Sequence, residues 1–373
     1  MKPRILLLAG EASGDLHGAG VVRALKARYP EGDFFGLGGP LMQAEGVELI
    51  ADLDQLAVMG FVEVASRLPF FWRLEKRIQS MLDSGTIDLV LPIDYPGFNL
   101  RAARAAHRRG VPVLYYIAPQ VWAWKPRRAA LLAEYTDRLA VILPFEAEIF
   151  GASGAAATFV GHPLLDHARS DTTEQEFRRH WNLHPDVPLL ALMPGSRRQE
   201  IDRHLELFVR AAAHAREKQP DLQPVLARAP SVPMEALDGM GLPVVDDAGA
   251  LLAFSRAALV KSGTGTLQAA LEGTPFIAVY RTHPLTYAVA QRLLNVDSIV
   301  LANLVAGEAI VPELLQGEAT PKRLAELLEP LLEVDSPERA DMISGLSRIR
   351  SKLGTAGASE RVATLAAELL DSA

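Results

Sequence analysis

Asp94 draws attention first, because it directly follows an apolar run in the segment DLVLPIDYPGFNL, residues 88–100. Such a run predicts a buried strand, so the carboxylate is expected at or just beyond the strand's carboxyl end. The letters YPG that follow are typical of a turn. Asp94 is then either a turn-capping aspartate or a general base that faces a substrate, and Asn99 offers another group to satisfy the local backbone. The residues by themselves leave both roles open.

A second candidate is the loop MPGSRRQEI, residues 193–201, which predicts an anion site. Gly195 and Ser196 would expose backbone N–H groups at the start of a helix. Arg197 and its neighbour Arg198 add fixed positive charge. An arginine in this position can neutralise a diphosphate leaving group and so stabilise a transition state. The alternative is a capped helix whose arginines are only solvated.

A third loop, VKSGTGTLQAALEG at residues 260–273, is small and rich in hydroxyl groups where it opens a helix. Gln268 and Glu272 follow at i, i+4 and share one helix face. Two such loops in the same half of the chain favour a nucleotide diphosphate bound to a second domain. The residues of this loop best suited to phosphate oxygens are Ser262, Gly263 and Thr264.

The loop AGEASGDLHGAG, residues 9–20, has a different character. It lacks the Lys-Ser/Thr pair of a P-loop, and its glycines do not have the dinucleotide-binding spacing. Glu11 and Asp15 would lie near a helix N-terminus, where they suit the helix dipole but repel a diphosphate. The loop therefore suits hydroxyl groups, with the two carboxylates as second-choice catalytic acids. The alternative is that Gly14 and Gly18 only allow close helix–sheet packing.

Two tryptophans stand in the segment YYIAPQVWAWKPRR, residues 115–128. Trp122 and Trp124 follow a predicted strand and a proline, where they would line an acceptor pocket or stack on a sugar. The alternative is that both belong to the core or to a lid.

A second aromatic cluster lies in residues 56–78 and mixes apolar with cationic side chains. Phe70, Phe71 and Trp72 are bracketed by arginines and a lysine, the composition of a helix that lies in a membrane interface. This segment is the candidate for membrane and acyl-chain contact, with a buried helix as the alternative.

The overall composition excludes several functional classes. The chain has 373 residues, 49% hydrophobic and 22% charged, no cysteine and a net charge of −7. These values predict a globular protein without disulfides or a nucleic-acid footprint. The start reads as a first strand and not as a signal peptide, and no apolar run approaches the roughly 20 residues of a spanning helix. The histidines are scattered, so neither a metal nor a cofactor is expected.

Short apolar runs alternate with helical patterns, which predicts an α/β protein with parallel sheets. Residues 159–187 interrupt this pattern with a polar, helical sequence that contains no strong strand, and the alternation then resumes. We therefore expect two Rossmann-like domains, residues 1–165 and 166–344, with the helical tail near 345–373 packed back on the first. Sheets facing one another would form a cleft between their carboxyl edges, where ligands of such sheets bind.

Read in order, ten motifs resemble those of bacterial lipid-A-disaccharide synthases, from Ile5 to about Leu315. They are AGEASGDLHGA, LAVMGFVEV, IDYPGFN, YYIAPQVWAW, LPFE, FVGHPLLD, PGSRRQEI, SGTGTLQAAL, YRTHPLTYAVAQRL and LANLVAG. The resemblance implies a GT-B glycosyltransferase with two Rossmann-like domains that face across a cleft, the donor held mainly by the C-terminal one. It implies an inverting reaction of UDP-2,3-diacylglucosamine with 2,3-diacylglucosamine 1-phosphate (lipid X). The products are the β-1,6-linked disaccharide 1-phosphate and UDP.

The same resemblance assigns residues to roles. The family's general base corresponds to Asp94, its PGSR arginine to Arg197, the asparagine of its LPNLLAG motif to Asn303, and its donor loop to Ser262, Gly263 and Thr264. Three positions depart from the family pattern. Gly97 stands where an aspartate is frequent, Gln268 where a glutamate is usual, and Ala302 replaces a proline. We expect a sole carboxylate in the Asp94 turn, a weaker ribose contact at Gln268 and a looser loop at Ala302.

The resemblance also implies a cytoplasmic protein, peripheral on the inner face of the bacterial inner membrane. A homodimer is possible, and no nucleic-acid partner is expected. Two other functional classes stay open. A UDP-N-acetylglucosamine 2-epimerase would share the fold and donor loops but has no use for residues 56–78. A non-catalytic nucleotide-sugar or lipid-binding protein would keep the loops without needing Asp94.

Overall fold

The computed structural model describes residues 2–56, 61–122, 127–166, 172–283, 287 and 298–372, without the side chains of Asp54 and residues 61–67. The chain divides into two compact units. Unit 1 comprises Met1–His167 together with Gly354–Ala373, and unit 2 comprises Ala168–Leu353. Each unit is built around its own parallel sheet.

Unit 1 contains a seven-stranded sheet in the order β3-β2-β1-β4-β5-β6-β7, with its described strand pairs all parallel. Its strands are β1 (Arg4–Ala9), β2 (Asp33–Gly38), β3 (Glu48–Asp52), β4 (Leu89–Ile93), β5 (Leu114–Tyr116), β6 (Arg138–Val141) and β7 (Ala157–Phe159). Its helices as far as the junction are α1 (Ala12–Arg28), α2 (Pro40–Ala44), α3 (Leu53–Leu56), α4 (Phe61–Asp83), α5 (Pro96–His107), α6 (Arg127–Tyr135) and α7 (Glu146–Gly151), followed by a 3₁₀ turn at Pro163–Leu165.

Unit 2 contains a six-stranded parallel sheet in the order β10-β9-β8-β11-β12-β13. Its strands are β8 (Leu189–Met193), β9 (Gln223–Ala227), β10 (Val244–Val245), β11 (Ser255–Lys261), β12 (Phe276–Tyr280) and β13 (Glu313–Leu315). Its described helices are α8 (Glu174–His180), α9 (Arg198–Lys218), α10 (Ala248–Phe254), α11 (Thr264–Glu272), α12 (Leu301–Ala306), α13 (Pro321–Leu332) and α14 (Pro337–Lys352), with 3₁₀ turns at Met234–Ala236 and Gln316–Glu318. The last helix, α15 (Ala358–Ser372), belongs to unit 1.

The apolar runs form these strands because a parallel sheet covered on both faces excludes water from every side chain. In β1 the side chains alternate between two cores. Ile5 and Leu7 belong to the cluster that includes Val362 of α15, whereas Leu6 and Leu8 belong to the cluster on the other face. All four are fully buried, as the continuous apolar sequence predicts.

Each sheet has one place where the strand order reverses. In unit 1 the chain leaves β1 toward β2 and β3 and then crosses to β4 on the other side of β1. In unit 2 it leaves β8 toward β9 and β10 and then crosses to β11. Such a switch point opens a crevice outside the carboxyl ends of the two strands, where ligands of open α/β sheets bind. The loops at these points begin at Gly10, Asp94, Pro194 and Ser262.

Helix α15 is held to unit 1 by Asp166, whose carboxylate caps its first turn. The backbone N–H groups of Gly357, Ala358 and Ser359 donate to it at 2.8, 3.0 and 3.0 Å. Burial alone would raise the pKa of Asp166, but these bonds outweigh it, so the pKa lies below its usual value. The sequence-based boundaries were 165/166 and about 345; they differ from the observed division chiefly in α14, which lies in unit 2.

Among the described residues, no helix is long and apolar enough to cross a membrane.

Replacing Asp166 with alanine is expected to detach the start of α15, because three backbone donors lose their acceptor. The free energy of unfolding is expected to fall by about 1–3 kcal/mol. Amide hydrogen exchange should become faster in residues 357–362, which measures the effect locally. Asp371→Ala removes an exposed carboxylate from the other end of the same helix and serves as the control. Equal exchange in the two variants would contradict a capping role for Asp166.

Candidate active site

Asp94 lies immediately beyond the carboxyl end of β4, in the turn that leads into α5. Asp94 is half-buried, and its backbone N–H donates to the carbonyl of Tyr116, the last residue of β5, at 2.9 Å. Asp94 and Tyr95 both have positive φ, 48° and 49°. The left-handed region costs a non-glycine residue of order 1–3 kcal/mol when the surrounding structure enforces it. A strained turn thus carries the carboxylate to the switch point of unit 1.

The loop after β1 meets this turn. The ring of Tyr95 lies against Gly10 so closely that any Cβ at residue 10 would overlap it. Burial raises the pKa of Tyr95, and the nearby carboxylate of Glu11 raises it further. Glu11 itself is exposed at the N-cap position of α1. The structure therefore brings Glu11 and Asp94 to neighbouring loops of the same sheet edge.

Asp15 has a different place from the one expected of a second-choice acid. It is 2% exposed, and its carboxylate accepts the backbone N–H groups of Gly39, Leu41 and Met42 at 2.8, 3.1 and 2.9 Å. These are the orphan donors at the start of α2. A catalytic acid needs a carboxylate that faces the substrate, whereas both oxygens of Asp15 face a helix start.

In unit 2 the loop after β8 is organised around Glu200. Gly195 has φ 132°, and a Cβ there would come within 2.5 Å of the Cβ of Glu200. The sequence predicts that the N–H of Ser196 faces an anion. In the structure this N–H donates to Glu200 Oε2 at 2.9 Å, inside the protein. Arg197 is exposed at the N-cap position of α9, which leaves its guanidinium as the loop's positive charge.

An ion pair between Glu200 and Lys261, which the sequence did not predict, lies beside this loop. Lys261 Nζ lies 2.7 Å from Glu200 Oε1, and the side chains are 20% and 17% exposed. Burial raises the pKa of Glu200, but the charge and hydrogen bond of Lys261 outweigh it and hold the pKa below its usual value. The pair joins the first turn of α9 to the last residue of β11. The only available signal was the position of Lys261, directly before the hydroxyl-rich loop.

The loop after β11 opens α11 as predicted, but its hydroxyl groups differ in availability. Ser262 is buried and its Oγ donates to the carbonyl of Ile299 at 3.1 Å. Gly263 has φ 152° at the N-cap position, and its carbonyl accepts the hydroxyl of Thr266 at 2.7 Å. Thr264 is exposed at the first position of α11, and Gln268 is half-buried one turn later. Thr264 is therefore the hydroxyl of this loop most accessible to a ligand.

Asn303, predicted to contact the substrate, is hydrogen-bonded within the protein. It is buried in α12, where its Oδ1 accepts the N–H groups of Ile310 and Val311, each at 3.0 Å. Its Nδ2 donates to the carbonyl of Val311 at 3.0 Å. The amide thus fastens the segment after α12 to the helix. Ala302, expected to loosen this loop, is buried within the same helix.

Trp122 is anchored to Glu146. Its Nε1 donates to Glu146 Oε1 at 3.2 Å, and its ring meets Phe145 edge to face at 5.3 Å. Burial raises the pKa of Glu146 to about 7, although the N–H groups of Trp122 and Leu143 moderate the shift. Trp122 is half-buried, which fits a wall of a pocket better than a free stacking platform. Trp124 lies outside the described residues.

The aromatic cluster of α4 divides into two parts. Phe70 and Phe71 pack against the core cluster under the sheet, and Phe71 lies 6.4 Å from Phe98. Trp72 and Leu68, by contrast, are 70% and 59% exposed. Exposed side chains of this size are candidates for a contact with another surface. The two phenylalanines are thus partly buried against the core, whereas Trp72 is exposed and keeps its predicted role in an interfacial contact.

A group of three or more His, Asp or Glu side chains able to hold a metal ion is absent from the described part of the chain.

Comparison with known proteins gives a family. Residues 5–365 match the family model described as Lipid-A-disaccharide synthetase. A Lipid-A-disaccharide synthase of Geobacter sulfurreducens is 41% identical over 375 residues, with 98% of this chain and 97% of the relative covered. One from Myxococcus xanthus is also 41% identical, with 99% and 98% covered.

Solved structures add the fold. The Staphylococcus aureus MnaA–UDP structure has a TM-score of 0.66 at 15% identity, over 100% of this chain and 97% of that one. The calicheamicin glycosyltransferase CalG4 has a TM-score of 0.62 at 18% identity, over 100% and 99%. At these identities the likeness concerns the fold alone, and it confirms the predicted GT-B fold of two Rossmann-like domains with parallel sheets.

Breaking the Glu200–Lys261 pair is expected to destabilise unit 2, because each single change leaves a largely buried charge without its partner. Glu200→Gln and Lys261→Met should each cost about 1–3 kcal/mol. The double variant should cost clearly less than the sum, which denaturant unfolding measures as a coupling energy. Arg198 and Asp202, an exposed pair at 2.9 Å on the same helix, are the control and should show a coupling of about 0.5 kcal/mol or less. Additive effects at Glu200 and Lys261 would contradict a bridging role.

Proposed function

The chain belongs to the Lipid-A-disaccharide synthetase family and is a glycosyltransferase of lipid A biosynthesis; from that premise we propose its substrates and its catalytic residues. The donor is UDP-2,3-diacylglucosamine and the acceptor is 2,3-diacylglucosamine 1-phosphate. The products are the β-1,6-linked disaccharide 1-phosphate and UDP. Asp94 is the general base, and Arg197 neutralises the leaving diphosphate.

The placement of Asp94 carries this proposal. A half-buried carboxylate directly after β4 stands at the switch point of unit 1, on a turn whose backbone is held in the left-handed region. No other carboxylate in this turn competes with it, because residue 97 is glycine. Glu11 on the neighbouring loop is an exposed acid at this sheet edge, and Asp15 is withdrawn by its role at α2.

The reaction needs one proton transfer and one charge to be stabilised. The 6-hydroxyl oxygen of the acceptor attacks the anomeric carbon of the donor, and its proton passes to the Asp94 carboxylate. The bond from the anomeric carbon to the diphosphate oxygen breaks at the same time, with inversion when attack is in line. UDP leaves with the additional negative charge, which suits a fixed arginine at a helix start.

The groups of unit 2 support the donor half of this proposal. Arg197 is exposed at the N-cap position of α9, and Thr264 is exposed at the first position of α11. Lys261, the last residue of β11, is held in place by its ion pair with Glu200. Cationic and hydroxyl groups at two adjacent helix starts are the chemistry that recognises phosphate oxygens.

One assay separates this function from epimerisation. Several solved structures of the same fold are UDP-N-acetylglucosamine 2-epimerases, among them one from Neisseria meningitidis at 12% identity. Incubation with both acylated substrates should give the disaccharide 1-phosphate by mass spectrometry, and UDP-N-acetylglucosamine alone should stay unchanged. Formation of the epimer without disaccharide would contradict the proposal.

We also propose a peripheral contact with the inner face of the bacterial inner membrane through the surface formed by Leu68 and Trp72. Both are exposed on α4, beside Arg73 and Lys76. Lys76 Nζ lies 5.0 Å from the centre of the Trp72 ring. Apolar groups flanked by cations suit an anionic lipid surface.

Asp94→Asn is expected to lower kcat by about 10²–10⁴-fold, because an amide cannot accept the proton. The affinity for UDP, measured by calorimetry, should stay within about twofold since the side chain has no part in holding the diphosphate. Asp83→Asn, which removes an exposed carboxylate paired with Arg109, is the control and should keep full activity. Normal turnover of Asp94→Asn would rule out Asp94 as the base.

The double change Leu68→Ser and Trp72→Ser is expected to weaken sedimentation with vesicles of phosphatidylglycerol and phosphatidylethanolamine. Both side chains are exposed, so the thermal midpoint should hardly change. Val334→Ser removes a side chain of similar exposure, 64%, from unit 2 and should bind vesicles like the unmodified protein. Unchanged sedimentation of the double variant would exclude this surface as the membrane contact.

A further inference from the structure

The backbone carbonyl of Asp94 is held by two side chains from different elements. Asn99 Nδ2, in the first turn of α5, donates to it at 2.7 Å. The hydroxyl of Tyr115, in β5, donates to it at 2.7 Å. A carbonyl that receives two such donors is fixed in direction, because both would lose their acceptor if the peptide rotated.

These two bonds act on a turn that the backbone does not favour. Asp94 and Tyr95 both lie in the left-handed region, and each position costs of order 1–3 kcal/mol unless neighbouring groups enforce it. On the other side of Asp94, its N–H is fixed by the ladder bond to β5 at 2.9 Å. Both peptide groups that flank the Cα of Asp94 are therefore fixed, and with them the direction of its Cα–Cβ bond.

Asn99 extends the same hold to β1. Its Nδ2 also lies 2.9 Å from the carbonyl of Leu8 and 3.3 Å from that of Ile93. One amide thus connects the carboxyl ends of the two strands at the switch point. The two N–H groups of Nδ2 are shared among the three carbonyls, and Oδ1 is buried without a hydrogen-bond partner among the described residues.

We propose that Tyr115 and Asn99 are positioning residues of the glycosyl transfer, which aim the Asp94 carboxylate by fixing its peptide; this rests on the proposed role of Asp94 as general base. Both side chains hydrogen-bond to the backbone carbonyl of Asp94 and take no part in the proton transfer. A base displaced by about an ångström loses much of its rate advantage, up to about 10²-fold. Burial and the nearby charge of Asp94 raise the pKa of Tyr115 well above its usual value, so its hydroxyl remains a donor over the working pH range.

The sequence supplies a matched control in the next residue. Tyr116 is as completely buried as Tyr115, but its hydroxyl has no hydrogen-bond partner in the described part of the chain. Tyr115→Phe and Tyr116→Phe therefore remove the same atom from neighbouring positions of one strand. Only the first removes a hydrogen bond to the Asp94 peptide.

The test compares these variants in steady-state kinetics with both acylated substrates. Tyr115→Phe is expected to lower kcat about 10- to 100-fold, with the KM of both substrates within about twofold. Tyr116→Phe should keep the kcat of the unmodified protein. Equal kcat in the two variants would overturn the proposal, as would a change confined to KM.

A second arm places Tyr115→Phe in the Asp94→Asn protein. If Tyr115 acts through Asp94, the added change should leave the residual rate within about twofold, because there is no base left to aim. If Tyr115→Phe lowers kcat as much in the Asp94→Asn protein as in the unmodified one, Tyr115 acts elsewhere and the proposal is overturned. If Tyr115→Phe fails to give a folded protein by circular dichroism, Asn99→Ser carries the same two arms. Normal turnover of Asp94→Asn alone would instead refute Asp94 as the base. Failure of the proposed base can therefore be distinguished from failure of the positioning role of Tyr115.

Discussion

All strands of a parallel sheet end at the same edge, and among the strands that the structure describes each sheet reverses its strand order once. This constraint decides where chemistry is possible. The two connections that leave a switch point run to opposite sides of the sheet. The crevice between them, outside the carboxyl ends of the two strands, is therefore not covered by a crossover helix. Each unit therefore offers one such place, and the loops that begin at Gly10 and Asp94, or at Pro194 and Ser262, are the ones that reach it.

Much of this could be predicted from the sequence. The apolar runs located the strands because a sheet covered on both faces requires continuous apolar text, and the strand after residue 88 correctly placed Asp94 at a carboxyl end. The loops before α9 and α11 were recognised because glycine, serine and threonine accumulate where a strand gives way to a helix. Helix α15 lies in unit 1, whereas α14 lies in unit 2.

What could not be predicted is the direction in which a polar side chain points. Asp15 and Asn303 stand in motifs that look chemical, yet one satisfies the start of α2 and the other fastens the backbone at residues 310–311. A carboxylate or amide beside a helix start serves equally well as a cap or as a ligand, and only the three-dimensional position of the orphan N–H groups distinguishes the two. Lys261 was overlooked for the complementary reason, since its partner Glu200 is distant in sequence.

Unit 2 is one continuous stretch of chain, whereas unit 1 is closed by a helix from the far end of the sequence. During synthesis on the ribosome, the residues of α15 are made after those of unit 2. Unit 2 can therefore bury its core while the apolar side chains of unit 1 that α15 covers, in the cluster containing Val22 and Leu25 of α1, still face water. The usual order of completion, amino-terminal domain first, is reversed. In the nascent chain, unit 1 is the part that depends longest on protection from aggregation.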